Sequence, residues 1–353
     1  MIRSLKIGSA FIGIIVGAGF ASGQEILQYF TSFGIPGIFA AILATALFAY
    51  MGMSLTRIGS RLQTTSHKDA LYTMGGRIGG IIMDAIIILT LFGVGVVMIA
   101  GAGSIFSQQF GFPAAYGNTV MALLVMGTIM LNIQKVIAII GSITPFLILT
   151  VVGLAIYSLM TMDSTFTALE PIAKSADSAL SNWFYSAVNY VSFNIAVGAS
   201  MSIVMGGAEK DEKVAARGGL IGGLGLGILI ILNHLAIFSS IDRVGEAEMP
   251  ILQIANDIAP FLGFFVSLIL FAMIYNTAVS MLFSFTARFA EQNTKRFRIT
   301  VVAVVGIAYA LSFRGFKDLV SEFYPVIGLL GLFLVVTLVV TNIRYSREKK
   351  MTA

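Results

Sequence analysis

Residues 16–25 read Val-Gly-Ala-Gly-Phe-Ala-Ser-Gly-Gln-Glu, and this run lies within the first long apolar segment, residues 6–30. Gly17 and Gly19 fall near the middle of that segment. A glycine in a helix interior costs about 1 kcal/mol relative to alanine, and a charged side chain at membrane depth costs about 3 kcal/mol. Backbone without helical hydrogen bonds is tolerated at that depth only where protein or a water-filled cavity satisfies it. The run therefore predicts either tight helix packing or a helix that is broken to hold a ligand.

The composition is that of a polytopic membrane protein. Hydrophobic residues make up 57% of the 353 residues and charged residues 11%, and the mean hydropathy is +0.93, whereas soluble domains carry about 25% charged residues. The chain has no cysteine and two histidines, which excludes disulfides, thiolate metal sites and cysteine nucleophiles. We therefore expect no cofactor and no metal beyond a possible sodium ion. The net charge of +5 does not indicate a nucleic-acid partner, because membrane topology accounts for the basic residues.

A membrane-spanning helix needs about 20 apolar residues, and on that basis we predict ten spans. Turn signals containing glycine and proline separate several of them. The first apolar run is long enough to span and has no small-residue cleavage site, so we interpret it as a span rather than a signal peptide. The predicted spans are 6–30, 36–57, 78–107, 116–133, 136–160, 183–208, 214–240, 260–287, 298–313 and 319–343.

The distribution of basic residues supports this count. With the N-terminus in the cytoplasm, 18 of the 22 Lys and Arg residues fall in cytoplasmic segments, as the positive-inside rule requires. The outer segments hold Lys174, Arg243, Arg314 and Lys317. We therefore predict a multi-pass protein of a bacterial cytoplasmic membrane with both termini inside, surrounded by the lipid bilayer. The oligomeric state stays open.

The spans divide into two sets of five. Residues 1–160 form the first set, 161–182 an outer connector, 183–343 the second set and 344–353 a cytoplasmic tail. Because five is odd, the second set has inverted orientation. Its first helix has Val-Gly-Ala-Ser at 197–200 near mid-span. Paired interruptions in inverted halves are the sequence pointer to a transporter binding site, so we predict that helices 1 and 6 are both broken mid-span.

The run at 16–25, together with the ten-helix hydropathy, resembles the YkvI-type bacterial membrane proteins. These are distant members of the amino acid–polyamine–organocation superfamily, which has the LeuT-type fold. The resemblance covers nearly the whole chain. It implies an all-α integral membrane fold of two inverted five-helix repeats and a general carrier role, and it leaves the substrate open.

Candidate binding residues come from three helices. Amides freed near the break can bind an anion and freed carbonyls a cation, although small residues also serve close helix contact. Thr277 and Ser280 share one face of helix 8, the predicted span 260–287. In LeuT-type carriers, hydroxyls of helix 8 and carbonyls of helix 1 bind a sodium ion; the alternative is that these hydroxyls only bond back to their own helix. In some relatives a lysine of helix 5 replaces the ion, but Lys135, the only lysine of helix 5 here, lies at its cytoplasmic end and is too far from mid-membrane to do so. The predicted substrate-binding residues are Gly17, Ala18, Gly19, Ser22, Asn194, Gly198 and Ser200, and the predicted cation-binding residues are Val16, Thr277 and Ser280.

Two acidic residues lie within predicted spans. Glu25 follows the break and is a candidate for an outer gate, a proton site or an amine-binding carboxylate; a structural ion pair, with Arg314 or Lys317 as partner, is the alternative. Asp84 lies in the inner half of helix 3. It is interpreted as paired with a cytoplasmic Arg or Lys, with Arg77 two turns away, or as a proton-coupling group. Residues 246–258 predict a short outer amphipathic helix, either a lid or a static interfacial helix.

The predicted function is secondary active transport of a small organic solute, an amino acid or an amine, by alternating access with cation coupling. Sodium is favoured over protons, and neutral or zwitterionic substrates fit best because only Glu25 offers a counter-charge. The alternative is a ligand sensor or binding subunit that retains the carrier fold without transport. The sequence has no phosphate-binding loop, no Gly-x-Ser-x-Gly elbow and no metal-ligand cluster, so we do not expect an enzyme. It also lacks the filter sequence of an ion channel.

Overall fold

The computed structural model describes residues 1–64, 67–131, 144–292 and 294–351. Within these ranges the regular structure is helical, without strands, as the sequence predicts. The helices of the described residues are α1 (Ile2–Ile15), α2 (Ala18–Ser22), α3 (Gln24–Tyr29), α4 (Pro36–Leu62), α5 (His67–Phe110), α6 (Ala114–Met130), α7 (Thr144–Met160), α8 (Phe166–Ser175), α9 (Trp183–Gly207), α10 (Glu212–Ser239), α11 (Ile241–Val244), α12 (Pro250–Ile258), α13 (Pro260–Thr286), α14 (Lys295–Ser312) and α15 (Phe316–Met351).

The first apolar segment is not one helix. α1 ends at Ile15. The next two residues, Val16 and Gly17, have an extended backbone, with φ −97° and ψ −174° at Gly17. α2 then runs for a single turn and is followed by Gly23, whose φ of +84° favours glycine. α3 continues from there to Tyr29. The break predicted for helix 1 is therefore present, and a second interruption follows it at Gly23.

The predicted break in helix 6 is wrong. α9 is continuous from Trp183 to Gly207 and passes through residues 197–200 without interruption. A Cβ added at Gly198 would lie 2.4 Å from Ile15 Cδ1. The small residue thus leaves room for the end of α1, which is the close-packing role that small residues have between membrane helices.

Six described helices are long and apolar enough to cross a membrane, and two shorter apolar helices, Ala114–Met130 and Pro145–Met160, accompany them. Every predicted span overlaps helical residues, but the count of ten and the inverted repeat remain predictions. So does the division at 161–182, where α8 lies. The predicted tail at 344–353 is helical as far as Met351, because α15 continues to that residue. Lys135 and the beginning of the predicted fifth span lie outside the described residues.

Glycines hold α4 unusually close to α9 and α10. A Cβ at Gly59 would lie 2.0 Å from the carbonyl oxygen of Ile203 in α9, and a Cβ at Gly219 of α10 would lie 2.1 Å from that of Gly52 in α4. At Gly223 the distance to the Phe48 carbonyl oxygen is 2.3 Å. Backbones that approach this closely pack through glycine faces, so α4, α9 and α10 form one tightly joined unit.

Ion pairs and hydrogen bonds define the two ends of the bundle. At the end that is predicted to be cytoplasmic, which we call the inner end, Arg3 pairs with Glu209 at 2.8 Å and Arg57 with Glu212 at 2.6 Å. At the opposite, outer end, α12 is the short helix predicted for residues 246–258. The side chain of Gln108 in α5 exchanges two hydrogen bonds of 3.0 Å with the backbone of Met249, which fixes α12 to the end of α5.

Candidate functional site

A cavity of about 620 Å³ lies in the middle of the helix bundle, against the break in the first segment. Its walls come from α1 to α3, α5, α9, α13 and α15. Towards the inner end its lining includes the exposed residues Gly13 and Ala287, whereas Glu25 and Tyr324 at the other end are buried. The cavity therefore opens towards the inner end and is closed towards the outer end.

Most of the predicted site residues meet on this cavity. They come from three separate parts of the sequence, and the fold brings them together around the break. The residues of the predicted substrate, cation and gating sets that line the cavity are Val16, Gly17, Gly19, Glu25, Asn194, Ser200, Thr277 and Ser280.

Two predicted substrate-binding residues do not line the cavity. The Ser22 hydroxyl donates a 2.8 Å hydrogen bond to the Gly19 carbonyl and accepts one of 3.1 Å from the Gln24 amide. It thereby satisfies backbone groups at the Gly23 interruption. Gly198 packs against Ile15, as described above. The backbone of Ala18 lies in α2, and its side chain is outside the description.

Glu25 places a carboxyl group at the buried end of the cavity. Its side chain is 5% exposed and accepts a 3.1 Å hydrogen bond at Oε2 from the hydroxyl of Tyr190 in α9. The space for its other oxygen is provided by Gly19, where an added Cβ would lie 1.9 Å from Oε1. No Lys, Arg or His of the described residues lies within salt-bridge distance of this carboxyl group.

The two outer cations that were considered as partners of Glu25 are bound elsewhere. Arg314 pairs with Glu322 at 2.7 Å, and Lys317 pairs with Asp177 at 2.7 Å. The ion-pair interpretation of Glu25 is therefore wrong for these two residues. Its carboxyl group faces the cavity instead, as a charge at membrane depth is expected to do.

Aromatic and amide side chains close the cavity towards the outer end. The rings of Phe193 and Tyr324 stack on its wall with centroids 4.1 Å apart. Beyond them, the Tyr29 and Tyr190 rings lie 5.3 Å apart, and both are buried. The side chain of Gln28 is also fully buried and donates a 3.1 Å hydrogen bond to the Lys317 carbonyl. These contacts join α3 to α9 and to the start of α15.

The predicted cation-binding residues come from the break after α1 and from α13. Thr277 and Ser280 line the cavity together with Val16. The Thr277 hydroxyl donates a 3.0 Å hydrogen bond to the Met273 carbonyl of its own helix, which leaves the lone pairs of its oxygen free to accept or to coordinate. The last carbonyls of α1 have no partners within their helix. Together they offer the oxygen ligands that an alkali cation needs.

Asp84 forms an ion pair at the inner mouth of the cavity. Its carboxylate lies 3.0 Å from Nη1 of Arg288, just after α13, and Arg288 lines the cavity. The prediction of a pair with a basic residue near the inner end holds, but the partner is Arg288 rather than Arg77. Arg77 and Asp84 both follow the change of direction at Gly76 (φ +64°), but they lie about two turns apart along α5 and Arg77 is exposed, whereas the packing of α13 against α5 places Arg288 beside the carboxylate.

Sequence reasoning missed Tyr190, which donates a hydrogen bond to Glu25, and several residues that line the cavity. Tyr190 precedes Asn194 by four positions and therefore lies on the same face of α9; that spacing was available as a signal. The apolar wall from α5, which includes Leu91, Val94 and Met98, gives no such signal, because apolar side chains in a membrane helix face lipid and cavities alike.

Comparisons with known proteins agree with this fold. No protein-family model matches the chain. It is 25% identical over 329 residues to the uncharacterized membrane protein YkvI of Bacillus subtilis, covering 93% of this chain and 92% of YkvI. It is 28% identical over 328 residues to YyaD of the same organism, covering 93% of each. The chain is homologous to these proteins, and the expected resemblance to YkvI-type proteins is confirmed.

Solved structures of LeuT-fold transporters are similar along nearly the whole chain. Mhp1 in an inward-facing conformation aligns with a TM-score of 0.64 and 14% identity, covering 94% of this chain and 75% of Mhp1. MhsT in complex with L-phenylalanine aligns with a TM-score of 0.62 and 18% identity, covering 93% of this chain and 87% of MhsT. A manganese transporter of Eremococcus coleocola aligns with a TM-score of 0.61 and 12% identity, covering 95% of this chain and 78% of that transporter. At these identities the likeness confirms the LeuT-type fold. One of these structures holds L-phenylalanine and another is a manganese transporter, so this fold does not fix a substrate.

Proposed function

We propose that this protein is a secondary transporter that moves a small organic solute, an amino acid or an amine, across the membrane by alternating access. The observation that supports this most directly is the break at Val16–Gly17, which opens onto a central cavity lined by polar groups from α9 and α13. Unwound backbone next to a mid-membrane cavity is the arrangement that transporters use to hold substrates and ions. The LeuT-type fold of the solved neighbours supports the same proposal.

The cavity geometry corresponds to one state of such a cycle. It opens at the inner end and is closed at the outer end by buried groups of α3, α9 and α15. A transporter in this state releases or accepts its solute on the inner side. To complete the cycle, the contacts of Gln28 and Tyr190 with their partners must break while the inner mouth closes.

We favour sodium as the coupling ion. Val16, Thr277 and Ser280 all line the cavity, and carbonyl and hydroxyl oxygens are the ligands that a hard monovalent cation prefers. A cation bound there bridges the end of α1 and α13, so its binding would bias the relative position of the two elements. This gives a physical route from ion binding to opening and closing.

Counterflow in proteoliposomes tests the proposal. Vesicles containing the purified protein are preloaded with one unlabelled amino acid or amine and given a trace of the same labelled compound outside. A carrier that alternates accumulates the label, whereas empty vesicles do not. Saturable binding without counterflow for any solute contradicts transport and favours the alternative of a non-transporting binding protein.

The coupling ion is tested by the same assay in sodium and in potassium. We expect faster counterflow or tighter binding in sodium. The double variant Thr277→Ala, Ser280→Ala should lose the sodium dependence and keep its fold. Equal activity in both salts, with a dependence on pH instead, would contradict sodium coupling.

A further inference from the structure

We propose that Glu25 is the anchor for the ammonium group of the solute, so that the transported compound is an organic amine in its cationic form. The inference rests on the proposed function and specifies its substrate class. It departs from the sequence-based preference for neutral or zwitterionic solutes.

Among the described residues, no cationic side chain pairs with Glu25. The carboxyl group is 5% exposed, lies on the cavity wall and accepts a hydrogen bond from the neutral hydroxyl of Tyr190. A buried charge needs a partner of opposite sign, since an isolated one is costly at membrane depth. In the part of the chain that the structure describes, Arg288 is the only basic residue on the cavity wall, and it pairs with Asp84 at the inner mouth. A cationic ligand in the cavity would provide the missing partner.

The neighbouring groups suit an ammonium ion. Asn194 lines the cavity and uses its amide nitrogen in a 3.0 Å hydrogen bond to the Tyr190 carbonyl, which leaves the amide oxygen as an acceptor. The stacked rings of Phe193 and Tyr324 also line the cavity, and aromatic faces attract organic cations. The cavity therefore offers an ammonium group a carboxylate, an amide oxygen and aromatic rings.

The rest of the wall suits the carbon skeleton of such a ligand. Leu91, Val94, Met98 and Met273 line the cavity. A bare metal ion would need several further oxygen ligands, and the described residues contain no cluster of three or more His, Asp or Glu side chains that could hold one. Of the described residues on the cavity wall, the basic one, Arg288, is already paired with Asp84 and does not offer itself to a substrate carboxylate. These features together favour an amine without a carboxylate over a metal ion or an amino acid.

Matched pairs of ligands test this inference on the purified full chain. Affinities are measured by calorimetry for 2-phenylethylamine against 2-phenylethanol and for cyclohexylamine against cyclohexanol, with L-leucine as a zwitterion. The wild type should bind each amine at least about 30-fold more tightly than the alcohol with the same carbon skeleton. Glu25→Gln should remove that preference by weakening amine binding about 30-fold, without weakening alcohol binding. Glu25→Asp, which keeps the charge, should retain a preference for the amine.

The control is Glu322→Gln. Glu322 is exposed and pairs with Arg314 outside the cavity, so this variant should bind like the wild type. Elution profiles and melting temperatures establish that each variant is folded, and if Glu25→Gln does not fold, the comparison of wild type with Glu25→Asp decides. An unchanged amine preference in Glu25→Gln, an equal loss for amine and alcohol, or no amine preference in the wild type overturns the inference.

Counterflow separates this inference from the proposed function. Counterflow of a neutral solute that is unaffected by Glu25→Gln would leave transport standing and overturn the amine anchor. Amine binding that depends on Glu25 but gives no counterflow would support the anchor and overturn transport.

Discussion

Gly223→Ala tests the close contact between α10 and α4. Gly223 lies in α10, and a Cβ at this position would meet three backbone atoms of α4: the carbonyl oxygen of Phe48 at 2.3 Å, and the nitrogen and Cα of Ala49 at 2.5 Å. An ordinary van der Waals contact begins at 3.4 Å. The two helices would therefore have to separate locally by about 1 Å, because a backbone cannot rotate away as a side chain can.

The expected cost follows from two opposing terms. Overpacking a well-packed interior costs about 1–3 kcal/mol, and contact with three backbone atoms places this site at the upper end. Replacing glycine by alanine in a helix stabilises it by about 1 kcal/mol. The net loss is about 2 kcal/mol, which for a chain of this size lowers the melting temperature by roughly 3 °C.

Two other glycines provide matched controls. In Gly225→Ala, on the same helix, the added Cβ meets only the flexible end of Ile12 at 2.8 Å. In Gly153→Ala, on α7, it meets no atom within 4 Å. Melting temperatures in one detergent should therefore rank Gly153→Ala highest, Gly225→Ala next and Gly223→Ala lowest. A Gly223→Ala protein as stable as the Gly225→Ala protein would refute the close approach of α4 and α10.

Two further predictions concern the ends of the cavity. Ser284→Cys should react with a membrane-impermeant maleimide from the predicted inner side, because Ser284 lines the cavity. Gln28→Cys should react from neither side, because Gln28 is fully buried. Rapid labelling of Gln28→Cys from the outer side would contradict the closed outer end. In a double-mutant cycle, Asp84→Ala and Arg288→Ala should show a coupling energy of about 0.5–1.5 kcal/mol in thermal or denaturant unfolding, and strictly additive effects would show that their 3.0 Å contact contributes nothing.

The break in the first segment could be predicted because several costs coincide there. Gly17 and Gly19 weaken the helix, and Glu25 requires a cavity or a partner. A continuous helix that faces lipid is therefore unfavourable for residues 16–25. Residues 197–200 looked similar, but only one glycine interrupts them and no charge follows nearby. The composition of a segment shows that small residues are present. It does not show whether they face a ligand or, as at Gly198, a neighbouring side chain.

The sequence could not predict which side chains pair between different helices, for a different reason. Asp84 was expected to pair near the inner end, and depth in the membrane was enough to predict that. The choice of Arg288 over Arg77 depends on the packing of α13 against α5, which brings Arg288 to the carboxylate. Likewise, Tyr190 meets Glu25 only because α3 and α9 come together, a contact between residues 165 positions apart in the sequence.

The interruption at Gly23 has a consequence for inhibition. A Cβ there would lie 2.8 Å from Ile251 of α12, so the joint between α2 and α3 touches the outer helix directly. α12 is in turn held to α5 by Gln108. α3 cannot swing outwards at this joint unless α12 moves with it. A ligand or antibody that clamps α12 to α5 on the outer surface would therefore block turnover without entering the cavity, and its inhibition would be noncompetitive with the solute.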